Sequence, residues 1–226
     1  MKKHKVLLLL LTLTVVLFAA TGCGGGSTSA PLELPDGFTT YENKEHKLSL
    51  HYPEDWAVLD ASKDKNALVE LFAEIYDSED VDISVLEDLG IDFSVVTAIW
   101  YLLDEMDGDL IPSLSLTVSE SGGIKPKNLK ESSFHKEFQE ALEGYYSQIV
   151  NGFATVENMT GKQMGKHYYV TYKYDMSAGN ANFSAIQAMT VIGDMMYTLT
   201  FSTHKGQAGI PMDTLEHIMA SLVVGK

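Results

Sequence analysis

Leu48-Ser49-Leu50-His51-Tyr52-Pro53-Glu54-Asp55-Trp56 is the stretch that decides the fold class. Leu48, Leu50 and Tyr52 alternate with Ser49 and His51, the period-two pattern of a strand with one buried face. Pro53 has no N–H to give to a ladder and ends the strand. Glu54-Asp55 makes the corner, and Trp56-Ala57-Val58-Leu59 resumes extended structure, with Trp56 expected to plug one end of the core.

Upstream, strand character begins at Phe38. Residues 23–37 (CGGGSTSAPLELPDG) are rich in Gly, Ser and Pro and show no apolar period, so they read as a tether. A coil of that length holds a domain on the order of 20 Å from its attachment point. Before it, Lys2, Lys3 and Lys5 precede an apolar run from Val6 to Ala20, and Ala20-Thr21-Gly22 leads into Cys23. A basic start, a short apolar core and small residues describe a secretory signal over 1–22. The junction resembles the lipobox of bacterial lipoproteins, with Ala20 where leucine is usual. That resemblance implies that the Cys23 thiol takes a diacylglycerol and becomes the mature N-terminus. Two acyl chains hold a protein stably on a bilayer where one does not.

Downstream, the polar turn 60–66 leads to an expected strand over 67–75. Residues 78–110 then lose strand alternation and read as a helical, acidic insert in two pieces, Val81–Leu89 and Phe93–Met106. In the second, Phe93, Val96, Trp100 and Leu103 recur at spacings of three and four and predict one apolar helix face. A strand is expected at 113–119, then a loop carrying Lys125, Lys127 and Lys130. A helix follows from Ser132 or Ser133 to about Val150, with Phe134, Phe138 and Leu142 on one side. Strands are expected near 153–163, 166–176, 183–192 and 195–203, with turns at 161–165, 177–182 and Gly193-Asp194. A last helix, about 210–222, begins at Pro211. Strands, a helix, a four-strand meander and a helix make an α+β chain: a mostly antiparallel sheet flanked by helices.

Leu48 to Trp56 resembles the opening motif of the PsbP/Mog superfamily. Tyr168-Tyr169-Val170-Thr171-Tyr172 and Met196-Tyr197-Thr198-Leu199-Thr200-Phe201 are similar to its central hairpins, and Ala220-Ser221-Leu222 to the end of its last helix. The resemblance covers roughly 38–224, and 38–226 reads as one domain. It implies a PsbP-like α-β-α sandwich used as a binding or assembly module, and it carries no catalytic motif.

Composition narrows the function further. The chain has 16 basic residues, all lysine, against 31 acids, a net charge of −15. Residues 54–109 hold most of the acidic excess. Nucleic acid is disfavoured, because its phosphates need a basic face. With Cys23 the sole cysteine, the domain has neither disulfides nor thiolate metal sites. No HxH or HExxH spacing occurs, and the acidic clusters around 77–82 and 104–109 lack the glycine and final glutamate of a calcium loop. No metal, cofactor or catalytic residue is therefore assigned, and no nucleophile motif points to an enzyme.

The expected function is that of an extracytoplasmic lipoprotein, held on the cell membrane through Cys23, whose domain binds or assembles an envelope protein partner. Phe93, Val96, Trp100 and Leu103 are the candidate partner face, unless they simply cover their own domain's core. The alternative is a small-ligand or calcium-binding accessory of a transport system.

Overall fold

A computed structural model describes residues 32–60, 63, 96–101, 113–149, 156–178, 181–204 and 210–225. Its strands are β1 (Phe38–Asn43), β2 (Leu48–Pro53), β3 (Ala57–Asp60), β4 (Val96–Tyr101), β5 (Ser113–Glu120), β6 (Val156–Met164), β7 (His167–Ala178), β8 (Ala181–Ile192), β9 (Met195–His204) and β10 (Val223–Val224). Its α-helices are α1 (Ser132–Ile149) and α2 (Met212–Ser221). The expected strand over 67–75, the first helical piece, Phe93, Leu103, Cys23 and the leader lie outside the described residues.

The strands form two sheets, not one. The larger has the order β3-β4-β5-β9-β8-β7-β6, and its neighbouring strands pair antiparallel. The smaller has the order β1-β2-β10. The split follows from Pro53. It ends β2, a turn closes with the Trp56 N–H on the Pro53 carbonyl at 3.2 Å, and the chain enters the large sheet only at Ala57.

Alternation along β7 separates the two faces of the large sheet. Tyr169 points into a core shared with the small sheet and α2, where Leu50, Trp100, Leu116, Ile218 and Leu222 are buried. Val170, Tyr172 and Tyr174 point into a second core under α1, with Phe138, Leu142 and Leu129. α1 thus covers one face, and α2 with the small sheet covers the other. The expected α+β sandwich, mostly antiparallel and flanked by helices, is the architecture observed.

The helix expected over 93–106 is corrected. Residues 96–101 form β4, paired with β3 and β5 in the large sheet. Trp100 is fully buried in the core, edge-on to Tyr41 with ring centroids 5.1 Å apart. The cause is burial on both sides. Thr97 and Ile99 are buried, as are Ala98 and Trp100 on the other face, so the strand shows no polar alternation and its apolar residues coincide with a helical period. The turns are also tighter than expected. Gly161 pairs with Val170 inside β6, and only Gly165-Lys166 connects the hairpin. Likewise Ser177, Ala178, Ala181 and Asn182 belong to ladders.

Candidate functional site

α2, β1 and β2 bring together residues that are remote in sequence. Leu215, Ile218, Met219 and Leu222 turn one face of α2 into the core. His217 lies on the flank of that face, half-exposed, where it meets β2. On β2, Leu48 and Leu50 point inward, so His51 falls on the opposite face, toward the edge of α2. The His51 Nδ1 and His217 Nε2 atoms are 3.2 Å apart, with ring centroids at 5.4 Å and planes tilted by 26°. Centroids that far apart, with nitrogens that close, place the rings edge to edge rather than face to face.

The surroundings hold this pair in place. The His51 backbone N–H donates to Ser221 Oγ at 2.8 Å, and the Ser221 hydroxyl donates to the Ile218 carbonyl at 2.7 Å. Phe38 stands edge-on against the His217 ring at 4.8 Å. On the same helix Glu216 pairs with Lys162 of β6, Oε1 to Nζ at 2.5 Å. Burial pulls both imidazoles below the ordinary histidine pKa, and for His217 the neighbouring His51 charge adds to it. Across the gap one ring's N–H donates to the facing nitrogen of the other, and the tautomer decides which ring is the donor.

The other face of the large sheet carries a buried polar patch. Across β5 and β9, Ser115 faces Thr200 and Thr117 faces Thr198. Thr97, Ser202 and Gln187 flank them, and all these residues are buried. The Tyr172 hydroxyl donates to Gln187 Oε1, and Gln187 Nε2 donates to Thr200 Oγ1 at 2.7 Å. Tyr172, Gln187 and Thr200 thus satisfy one another inside the protein, while the Thr97 hydroxyl is buried without a hydrogen-bond partner among the described residues. They fix the sheet's register and present nothing to solvent.

Of the expected partner face, Val96 and Trp100 lie on β4. Trp100 belongs to the core and offers no surface. Phe93, Leu103 and both acidic clusters fall outside the described residues. Sequence reading missed the histidine pair because its members are 166 residues apart, and only the closure of α2 onto β2 joins them. Among the described residues no group of three or more His, Cys, Asp or Glu converges as a metal cage.

No protein-family model matches the chain, and no curated protein matches it. Among solved structures, LpqN of Mycobacterium tuberculosis aligns over 84% of this chain and 91% of its own, at 13% identity and a TM-score of 0.50. This chain shares its α+β fold with LpqN. The cyanobacterial PsbP (CyanoP) of Synechocystis sp. PCC 6803 aligns over 90% of this chain and 98% of its own, at 16% identity and a TM-score of 0.49. Identities this low speak of fold alone; they transfer no partner and no chemistry.

Proposed function

We propose that the chain is a lipid-anchored, extracytoplasmic module that binds or stabilises a protein partner at the cell envelope without catalysing a reaction. The observation that carries the reading is the position of Cys23. This sole cysteine stands at the end of a basic and apolar leader, 15 residues before the first strand at Phe38. A lipid there and a short coil after it keep the domain beside its membrane. LpqN, which shares the fold, is described as involved in cell envelope biogenesis, and that setting agrees with the reading. Among the described residues no helix is long and apolar enough to cross a membrane.

Fractionation of cells expressing the chain and its Cys23→Ser variant tests the anchor. The parent chain is expected in the membrane fraction, carrying metabolically incorporated fatty acid, and the variant in the soluble fraction without it. A variant that stays with the membrane defeats the anchor. Partner binding is tested through Phe93 and Leu103, because Trp100 is part of the core. Crosslinking in native membranes is expected to join the parent chain to one defined protein, and Phe93→Ser with Leu103→Ser to abolish that product at unchanged thermal stability. Loss of stability instead shows that these residues cover their own domain.

A further inference from the structure

We propose that His51 and His217 form a two-imidazole site for one divalent ion of the Zn²⁺, Cu²⁺ or Ni²⁺ class, at the seam where the last helix meets the small sheet. Four observations converge on it.

The first is spacing. Two nitrogens bound at about 2.0–2.1 Å to one tetrahedral ion lie about 3.3 Å from each other. His51 Nδ1 and His217 Nε2 are 3.2 Å apart, so the separation matches that of two ligands on one ion, which would lie to one side of the line between them. The edge-to-edge arrangement of the rings points the two nitrogens at each other, and a turn of each ring about its side-chain bonds aims both at the ion.

The second is protonation. One neutral ring now donates its N–H to the other across that gap. Ion binding asks that ring to carry its proton on its outer nitrogen instead, His51 Nε2 or His217 Nδ1. Both inner lone pairs then face the ion, and no net proton is released. Neutral imidazole is the ligating form, so moving that one proton to the outer nitrogen is what binding asks of the pair.

The third is support. His51 sits on a strand whose backbone is tied to Ser221 of α2, and His217 lies one helical turn before that serine, braced by the Phe38 ring. Two ligands on separate, mutually fixed elements lose little freedom when an ion joins them.

The fourth is access. Both rings are half-exposed, so water can fill the remaining coordination positions. With two nitrogens and no convergent carboxylate among the described residues, the donor set favours imidazole-seeking ions over Ca²⁺ or Mg²⁺, which demand oxygen. The site clips α2 to β2, so an ion there adds to the seam that closes the domain.

The test is calorimetric titration of the full chain in detergent, without a polyhistidine tag, with Zn²⁺ and with Cu²⁺. Excess Mg²⁺ occupies the acidic surface. Saturation at one ion per chain is expected. His51→Gln and His217→Gln are each expected to weaken it by at least the roughly tenfold that loss of a mere outer-shell partner costs. His46→Gln, off the seam, is expected to leave binding unchanged. The Cu²⁺ spin-resonance spectrum reads the ligands directly: two equatorial nitrogens in the parent chain and one in either seam variant. Equal affinity in all four chains, or no saturable binding in the parent, overturns the proposal. A seam variant that misfolds is replaced by His217→Asn, and the count of ligating nitrogens still decides.

Discussion

The Tyr169 hydroxyl donates a 2.7 Å hydrogen bond to the carbonyl of Met219, fastening the middle strand of the β6-β7-β8 meander to the last turn of α2. Tyr169 is completely buried, and that burial drives its phenol far above its ordinary pKa, so it acts only as a neutral donor. The Met219 carbonyl also accepts the Leu222 N–H at 3.4 Å, so the helix end keeps one partner when the tyrosine is changed.

Tyr169→Phe is therefore expected to cost about 0.5–1.5 kcal/mol, the net worth of one hydrogen bond, with no stranded acceptor to add to it. Urea unfolding should show a lower midpoint with an unchanged slope. An unchanged midpoint means that the bond contributes nothing to holding α2.

Gly165 and Gly193 should separate two reasons for glycine. Both have positive φ, +55° and +64°. A Cβ on Gly193 meets open space, whereas one on Gly165 overlaps the Ala220 carbonyl oxygen. Gly193→Ala is expected to cost about 1 kcal/mol for the left-handed backbone alone. Gly165→Ala should cost about 1–3 kcal/mol more, because α2 must be pushed off the hairpin. Thermal melts of the two variants side by side decide; equal losses remove the steric account.

Trp100→Ala is expected to destabilise the chain by about 3–5 kcal/mol, the range for emptying a large aromatic site in a packed core. The ring packs against Tyr41 and Tyr52 between the two sheets, so its loss uncouples them. A variant with unchanged stability would show that the residue serves a surface rather than the core.

His167 gives stability a pH dependence of known sign. Burial lowers its pKa, a hydrogen bond to the Leu222 backbone opposes this, and the Lys166 charge adds to the lowering. The folded chain thus takes up this proton later than the unfolded chain as pH falls. Stability is complete above the unfolded value of about 6.5 and declines as pH drops from there toward the folded pKa. His51 and His217 act with the same sign. Unfolding midpoints measured between pH 7.5 and 5 should fall, and His167→Gln should flatten part of that fall. A variant with the parent's slope shows that this ring contributes none of it.

Much of this architecture was legible in the chain itself. Leu48 to Pro53 announces a half-buried strand and its end, and β2 stops at that proline. The meander, α1 and α2 lie within a few residues of where their periodicity and Gly193-Asp194 place them. Such elements are readable because one of their faces meets solvent, and that contrast writes a period into the sequence. β4 loses the contrast by being covered on both sides, although the run Val95-Val96-Thr97-Ala98-Ile99-Trp100-Tyr101, rich in β-branched and aromatic residues, is a strand signal that could have found it.

Tertiary structure alone decided the rest. Two residues, Val223 and Val224, are too short to carry any pattern, yet they complete the small sheet by pairing with Ser49 and Leu48. His51 and His217 read separately as unremarkable histidines, and their seam exists only because α2 folds back onto β2. Local composition determines which segments are extended, helical or acidic. Which side chains meet across the core is set by the burial that the whole chain shares, and no local stretch encodes it.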